Sequence, residues 1–495
     1  MPAGWRAPTL SMRCAMNKSF SLLSLPLLAT LLAGCSTPVP QSLPPQMQPK
    51  AFIGPIGGGA PVWPEADWWK GFHDDELASL IAQAQAGNRD LAVAAAHVME
   101  AEAQSTIARS ALFPQVNGQA DHIKAGCSGQ ACRDFARKKE FGLTFDASYE
   151  LDVWGLAQDN LRAAREQLKS TRFTQQAVAL ALDANVADVY LNILSLREQI
   201  AIANQQIAAI NEILEVIQLK VKTGTISHLD LAREEAQLEA VQAQLPSLQT
   251  QEKQALYTLA VLLGRPPEGF DVKAQNLDAV QSPKVGPGLP SELLLRRPDV
   301  AEAEANLASA HANVDAARAA FLPQISLTGS GGFVSTAIGT LLQGSNFGYA
   351  YGASLLQTIF DGGKLAGQKD LADATQQEFV ARYQSAALNA YSDVETALIQ
   401  VANTRKAEDH LRREVDAARE AFEITQLQYR QGATDLLNVL QAQQQLFGAE
   451  AQLAQTIQAS RQSSVHLYEA LGGGWVENPD DRTQMVQEAL SAQQK

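Results

Sequence analysis

Four cysteines and seven histidines are the side chains of this 495-residue chain best suited to covalent or metal chemistry. The run Cys127-Ser128-Gly129-Gln130-Ala131-Cys132 places two thiols close together, as a disulfide, as free thiols or as part of a metal site. With His122 as the further nearby ligand, the pair offers too few donors for a structural zinc site. The histidines are scattered without a His-Glu-x-x-His pair, and neither a phosphate-binding loop nor a Gly-x-Ser-x-Gly elbow occurs. Asp361-Gly362-Gly363-Lys364 reads as a turn from strand to helix. Asp146, Glu150 and Asp152 fall on one parity of an alternating run, so they suit the polar lining of a strand better than a general acid–base pair. No enzyme activity, cofactor or metal is expected.

Cys35 is different. Lys18 precedes an apolar run from Phe20 to Leu32, and Leu32-Ala33-Gly34-Cys35 follows. The run is too short to span a bilayer and reads as a secretory signal over residues 1–34. The tetrapeptide resembles the lipobox of bacterial lipoproteins, which implies cleavage before Cys35 and acylation at that residue. Met16 is the better start, since Met16-Asn17-Lys18 opens a compact leader. Ser36 stands where inner-membrane lipoproteins carry Asp, so the resemblance implies sorting to the outer membrane. In a chain exported this way, Cys127 and Cys132 are expected as a disulfide.

These residues need elements to hold them. From Leu156 to Thr223 the chain has neither Gly nor Pro, and Val186, Ile193, Ile200, Ile207, Leu214 and Val221 recur every seventh residue. Val189, Leu196, Ala203, Ile210 and Ile217 follow the first five by three. That heptad seam predicts one helix over 156–223, about 100 Å long at 1.5 Å per residue. Aromatics are 6% of the chain and apolar residues 46%, so alanine supplies much of the apolar content, which suits closely packed helices rather than one thick core. The net charge is −14, and −17 once Arg6, Arg13 and Lys18 leave with the signal, which argues against a nucleic-acid partner.

Other stretches alternate with a period of two. Over Glu140–Trp154 the odd positions are Phe141, Leu143, Phe145, Ala147, Tyr149, Leu151 and Val153, and the even ones are polar or acidic. Such a strand has one apolar and one polar face, and its length and aromatics fit a membrane barrel. Strands are expected at about 115–124 and 140–154, with the two cysteines in the loop between them. A helix over Ser227–Leu263 returns antiparallel to the long one through Thr223-Gly224-Thr225.

The pattern then repeats. Ala108-Arg109 with Phe113-Pro114-Gln115-Val116 recurs as Ala317-Arg318 with Leu322-Pro323-Gln324-Ile325, while Gly224 matches Gly432 and Leu263-Gly264 matches Leu471-Gly472. The expected layout is a tether and equatorial segment over 35–74, a first repeat over 75–264 and a connector over 265–288. A second repeat covers 289–472, with strands near 324–334 and 347–359 and a long helix over 368–431, and 473–495 is a tail. Glu408 interrupts the seam of that second helix. The fold class is mainly α with a membrane β-barrel part. Four amphipathic strands cannot sit alone in lipid, because their edges leave backbone groups unpaired, so the chain must oligomerise.

Leu289-Pro290-Ser291-Glu292-Leu293-Leu294, Arg297-Pro298-Asp299-Val300, Ala320-Phe321-Leu322-Pro323-Gln324-Ile325, Trp68-Trp69 and Phe360-Asp361-Gly362-Gly363 together resemble the TolC-like outer-membrane efflux family, in its lipoprotein branch. The resemblance implies a homotrimer with a twelve-stranded barrel and a periplasmic helical tunnel. It also implies docking to a periplasmic membrane-fusion adaptor and an inner-membrane pump of the RND type, in a Gram-negative outer membrane. The hairpin tips, Gly224, Thr225, Ile226, Ser227, Gly432, Ala433 and Thr434, would receive the adaptor. Asp435, just past the second tip, would be a periplasmic gate when three copies meet around an axis, and Asp146, Glu150 and Asp152 would face the lumen. Relatives often carry Leu-Asp-Ala-Gln-Arg where this chain has Leu440-Gln441-Ala442-Gln443-Gln444, a departure at the polar restraint on the closed tip. The implied function is a passive exit duct for drugs or small solutes. A duct for secreted polypeptides is the alternative on the same fold, and a pore-free coiled-coil lipoprotein is the alternative of another class.

Overall fold

The computed structural model describes residues 43–44, 47–54, 63–125, 138–277, 280–281 and 290–475. The chain divides into two units, Met1–Pro45 and Gln46–Lys495, and every helix and strand named below belongs to the second. The signal segment, Cys35, Cys127 and Cys132 lie outside the described residues.

Two copies of one plan make up the larger unit. The first runs α1 (Asp75–Gly87), α2 (Arg89–Ser110), β1 (Gln115–Ala125), β2 (Lys138–Leu151), α3 (Leu156–Lys222) and α4 (His228–Leu262). The second runs α5 (Pro290–Leu293), α6 (Pro298–Ala319), β3 (Gln324–Ser335), β4 (Phe347–Leu356), α7 (Lys364–Arg430) and α8 (Leu436–Ala470). Both ends of α3 lie 208 residues before those of α7, and both ends of α4 lie 208 before those of α8. Each long helix has 67 residues and each return helix 35.

The seam positions of α3 face inward. Val186, Ile193, Ile210 and Ile217 are fully buried, Leu196, Ala203 and Leu214 nearly so, and Val189, Ile200, Ile207 and Val221 pack partly buried against the same cores. α3 carries the most neighbours, with α1, α2, α4, α6 and α8 packed along it, while α7 packs on α6 and α8. One core gathers Trp68, Phe72, Leu77, Tyr190, Ile193, Leu256 and Tyr468 at mid-length, and another gathers Ile217, Phe422, Tyr429, Leu436 and Val439 near the helical tips.

Several boundaries move, each for a physical reason. α7 begins at Lys364 rather than 368, because its first turn absorbs Gly367, a cost of about 1 kcal/mol that Asp361 offsets by accepting from the amides of Gly363 and Leu365 at 2.9 and 2.8 Å. β2 ends at Leu151, and Asp152 leaves the strand to accept from the amides of Ala157 and Gln158 at 3.0 and 2.8 Å. It serves the start of α3, where unsatisfied N–H groups favour an anion.

The stretch expected as an extended tether is partly docked. Glu395 of α7 accepts from the amides of Ile53 and Gly54 at 2.6 and 2.8 Å, and a Cβ on Gly54 would stand 2.7 Å from that of Leu398. The packed chain also runs past 472. Gly472, Gly473 and Gly474 all have positive φ, and a Cβ on Gly472 would meet the Arg296 carbonyl at 1.7 Å. Trp475 Nε1 then donates to Gln176 Oε1 at 2.6 Å.

Candidate functional site

One antiparallel sheet in the order β1-β2-β3-β4 stands at one end of the long helices. Its register aligns the faces of all four strands. Ala120, Leu143, Phe333 and Phe347 lie in one cross-strand row, and Val116, Ala147, Gly329 and Tyr351 in another. Residues directly opposite share a face, so the apolar parity continues across the whole sheet. That face is open in the single chain, with Tyr349 75% and Tyr351 86% exposed. The other face carries Asp146 beside Asn117 and Ser330, and Glu150 beside Ser326, whose hydroxyl bonds that of Ser354 at 2.7 Å. Asp146 and Glu150 thus stand on the polar face as expected of the alternation, and Asp152 does not. Gly142 leaves room for its neighbour, since a Cβ there would meet Asp121 Oδ1 at 2.5 Å. β1 and β4 keep one free edge each among the described residues.

The far ends of the hairpins are built alike. Thr225 N–H donates to the Lys220 carbonyl at 2.9 Å and Ala433 N–H to that of Gln428 at 2.8 Å, closing α3 and α7 with Gly224 at φ +72° and Gly432 at +78°. Gly224, Thr225, Ser227, Gly432 and Ala433 are exposed, whereas Ile226 and Thr434 are half-buried. Asp435 is the N-cap of α8 and accepts from the Asn438 amide at 3.1 Å. Sequence reasoning missed the tie between the two hairpins. Lys220 Nζ sits 3.9 Å from the centroid of the Tyr429 ring and donates to the Tyr429 carbonyl at 3.0 Å. Gln443, in the departing Leu-Gln-Ala-Gln-Gln run, is buried with neither amide atom bonded. In the first hairpin, Glu215, Glu235 and Glu239 line a groove of about 690 Å³ between α3 and α4.

Midway along, polar side chains lock the parts together. Arg197 donates to Glu252 at 2.8 Å and to the carbonyls of Val272 and Ala274 at 2.7 and 2.6 Å, gripping the connector, and Arg461 holds its other end through the Val280 carbonyl at 2.9 Å. Arg297, from the Arg-Pro-Asp-Val run, bonds Asp299 at 2.7 Å, Asp393 of α7 at 2.9 Å and the Ala470 carbonyl at 3.3 Å. That motif is therefore a joint between α6, α7 and α8.

Residues 80–265 and 289–473 match the family model described as outer membrane efflux protein, in two segments that follow the internal repeat. The pyoverdine export outer membrane protein OpmQ of Pseudomonas putida is 36% identical over 458 residues, 91% of this chain and 97% of its own length. The cation efflux system protein CusC of Escherichia coli is 31% identical over 450 residues, 90% of this chain and 97% of its own. Among solved structures, the outer-membrane channel OprN superposes with a TM-score of 0.80 at 28% identity, covering 88% of this chain and 99% of that one. The MtrE outer membrane channel of Neisseria gonorrhoeae, in its open state, gives 0.77 at 28% identity over 86% of this chain and 95% of that one. With its two-part family match, its near full-length relatives and its channel-like fold, the chain belongs to the outer membrane efflux protein family.

Proposed function

We propose that three copies of this chain form a passive exit duct of a tripartite efflux system, carrying small solutes outward from a periplasmic adaptor and an inner-membrane pump. The observation that carries the reading is a junction left half-made. Within the chain the two repeats meet through β2 on β3 and through α3 on α6 and α8. α6 is thereby packed by α3 and α7, and ten of its residues are buried. α2 is its counterpart 209 residues earlier, yet it packs on α3 alone among the well-populated contacts and buries none. Its Met99 and Ile107 are 64% and 63% exposed. The same junction made once more, β4 and α7 of one copy against β1 and α2 of the next, covers both sheet edges and α2 together. Repeated head to tail it closes a ring.

Three copies, the number the family resemblance implies, give twelve strands with the apolar face to lipid and Asp146 and Glu150 to water. Helices of ~100 Å then reach across the periplasm, and the exposed tips meet the adaptor. Relatives carry names as different as pyoverdine export, cation efflux and toluene efflux, which favours a duct whose cargo is chosen by its pump.

Repeat equivalence sets the test. Asp315 of α6 takes Arg162 of α3 at 2.6 Å, and their counterparts are Thr106 on α2 and Asp370 on α7. Thr106→Cys with Asp370→Cys should be joined between copies into a covalent trimer by a bifunctional thiol crosslinker of arginine-like reach, and the protein should form conducting channels in planar bilayers. A crosslink confined within one chain, or membranes that stay silent, would count against the duct.

A further inference from the structure

We propose that Glu234 is a proton-operated latch on the helical tips: protonated, it lets α4 pack against α3 and the core around Tyr429, and ionised, it draws water into that seam and loosens α4 on the tip side of Pro246. The seam of α4 runs Leu231, Glu234, Leu238, Val241, Leu245 and Leu248, so a carboxylic acid occupies a position that apolar residues otherwise hold. Glu234 is 0% exposed, and neither of its oxygens has a hydrogen-bond partner. A buried carboxylate with no partner is costly, and the neutral acid is the form that such a site tolerates.

The surrounding charges do not rescue it. On α4, Asp230 lies one turn toward the tip, and Glu235 and Glu239 line the groove between α3 and α4 together with Glu215 of α3. On α3, Lys220 is occupied by Tyr429, and Glu212 pairs with Arg430 of α7 at 3.4 Å. From α7, Tyr429 presents a buried hydroxyl that also lacks a partner, and Leu231 packs into the same core as Tyr429. Burial alone pushes the Glu234 carboxyl from 4.5 up to about 7, and the nearby acids Asp230 and Glu234 in turn raise the Tyr429 hydroxyl, after burial itself. The sign follows. Below the ordinary value both packed and loosened states are neutral at Glu234, and as pH rises toward 7 the loosened state ionises first. Packing is therefore most secure in acid and weakens until the folded value is passed. Pro246, which removes one backbone donor inside α4, is where the loosened segment can bend.

The test compares full-length protein with Glu234→Gln by hydrogen exchange of the amides of residues 213–240, since the ratio at each pH cancels intrinsic exchange. The two should agree within a few-fold at pH 5. By pH 8 the wild type should exchange faster, by up to ~300-fold for the full displacement from 4.5 to about 7. If the Gln variant does not assemble, Glu234→Leu, which fills the seam, takes its place. A ratio unchanged between pH 5 and 8 overturns the latch, and so does a profile flattened by Asp230→Asn instead. In bilayers the wild-type open probability should rise over the same interval and that of the variants should stay level. This second measurement rests on the duct proposed above, whereas the exchange ratio does not, so silent membranes with an intact exchange profile overturn the duct and leave the latch standing.

Discussion

Arg461 of α8 places Nη1 3.1 Å from Glu408 Oε2 of α7, at the one seam position where the second long helix carries a charge in place of the first helix's Ile200. Arg412 reaches the other carboxylate oxygen at 2.7 Å. Arg461 also holds the connector through Val280, so one guanidinium closes the polar gap in the seam and straps the two repeats.

Removing one partner of such a buried pair should cost more than removing both. Arg461→Met leaves Glu408 to Arg412 alone and should destabilise by about 1.5–3 kcal/mol, and adding Glu408→Ile should restore much of that. Thermal denaturation followed by circular dichroism ranks the variants, and a double mutant no better than the single would refute the pairing. Burial pushes the Glu408 carboxyl up, but Arg412, Arg461 and Ser460 outweigh it and hold it below its ordinary 4.5. Its contribution is thus present above that value and lost as the pH falls through the folded one, so acid should narrow the gap between wild type and Arg461→Met.

The positive-φ glycines should divide into two classes. Gly472→Ala drives a Cβ into the Arg296 carbonyl, and assembly should fail or melt far below wild type. Gly224→Ala and Gly432→Ala meet nothing within 4 Å, so each should cost only the ~1–2 kcal/mol of left-handed strain. Yield of detergent-stable protein together with melting temperature checks the contrast.

Asp435 can be tested apart from its capping bond. Asn caps a helix as well as Asp does, so Asp435→Asn should keep α8 intact while removing the charge, whereas Asp435→Ala should also lose about 1 kcal/mol. If the charge forms a constriction, both variants raise single-channel conductance. Conductance that rises in Asp435→Ala alone would assign the effect to the frayed helix start.

Cys35→Ser should abolish incorporation of labelled palmitate and leave the folded channel intact. Label still entering that variant would remove the lipid-attachment assignment.

What could be read from the sequence was periodic, and what could not depends on several elements at once. The heptads over Val186–Val221 and the alternation over Glu140–Trp154 follow from the spacing of side chains on regular backbone, and the first appears where the spacing puts it while the second forms a strand over Lys138–Leu151. The repeat located both hairpin turns through Gly224 and Gly432. Asp152 continues the parity of the strand, yet it lies beyond the strand's end and its carboxylate serves the next helix, which spacing alone does not reveal. The docking of Ile53 and Gly54 was invisible for a related reason, since the acceptor, Glu395, lies 342 residues away from Ile53. Glu234 left a signal, a charged residue on the α4 seam, but its isolation depends on three helices. Lys220 on Tyr429 carries no spacing signature at all.

The matched lengths of the two hairpins, 67 and 35 residues in each, constrain how such a chain can change. A single residue inserted in α3 turns everything beyond it by about 100° and advances it ~1.5 Å, which rotates the seam off its neighbours and leaves one tip standing proud of the other. Seven residues restore the phase, but only if the return helix and the other hairpin take the same step. Reach can therefore be altered only in increments of ~10 Å, made in four helices together, so the span of this protein is a quantised gauge.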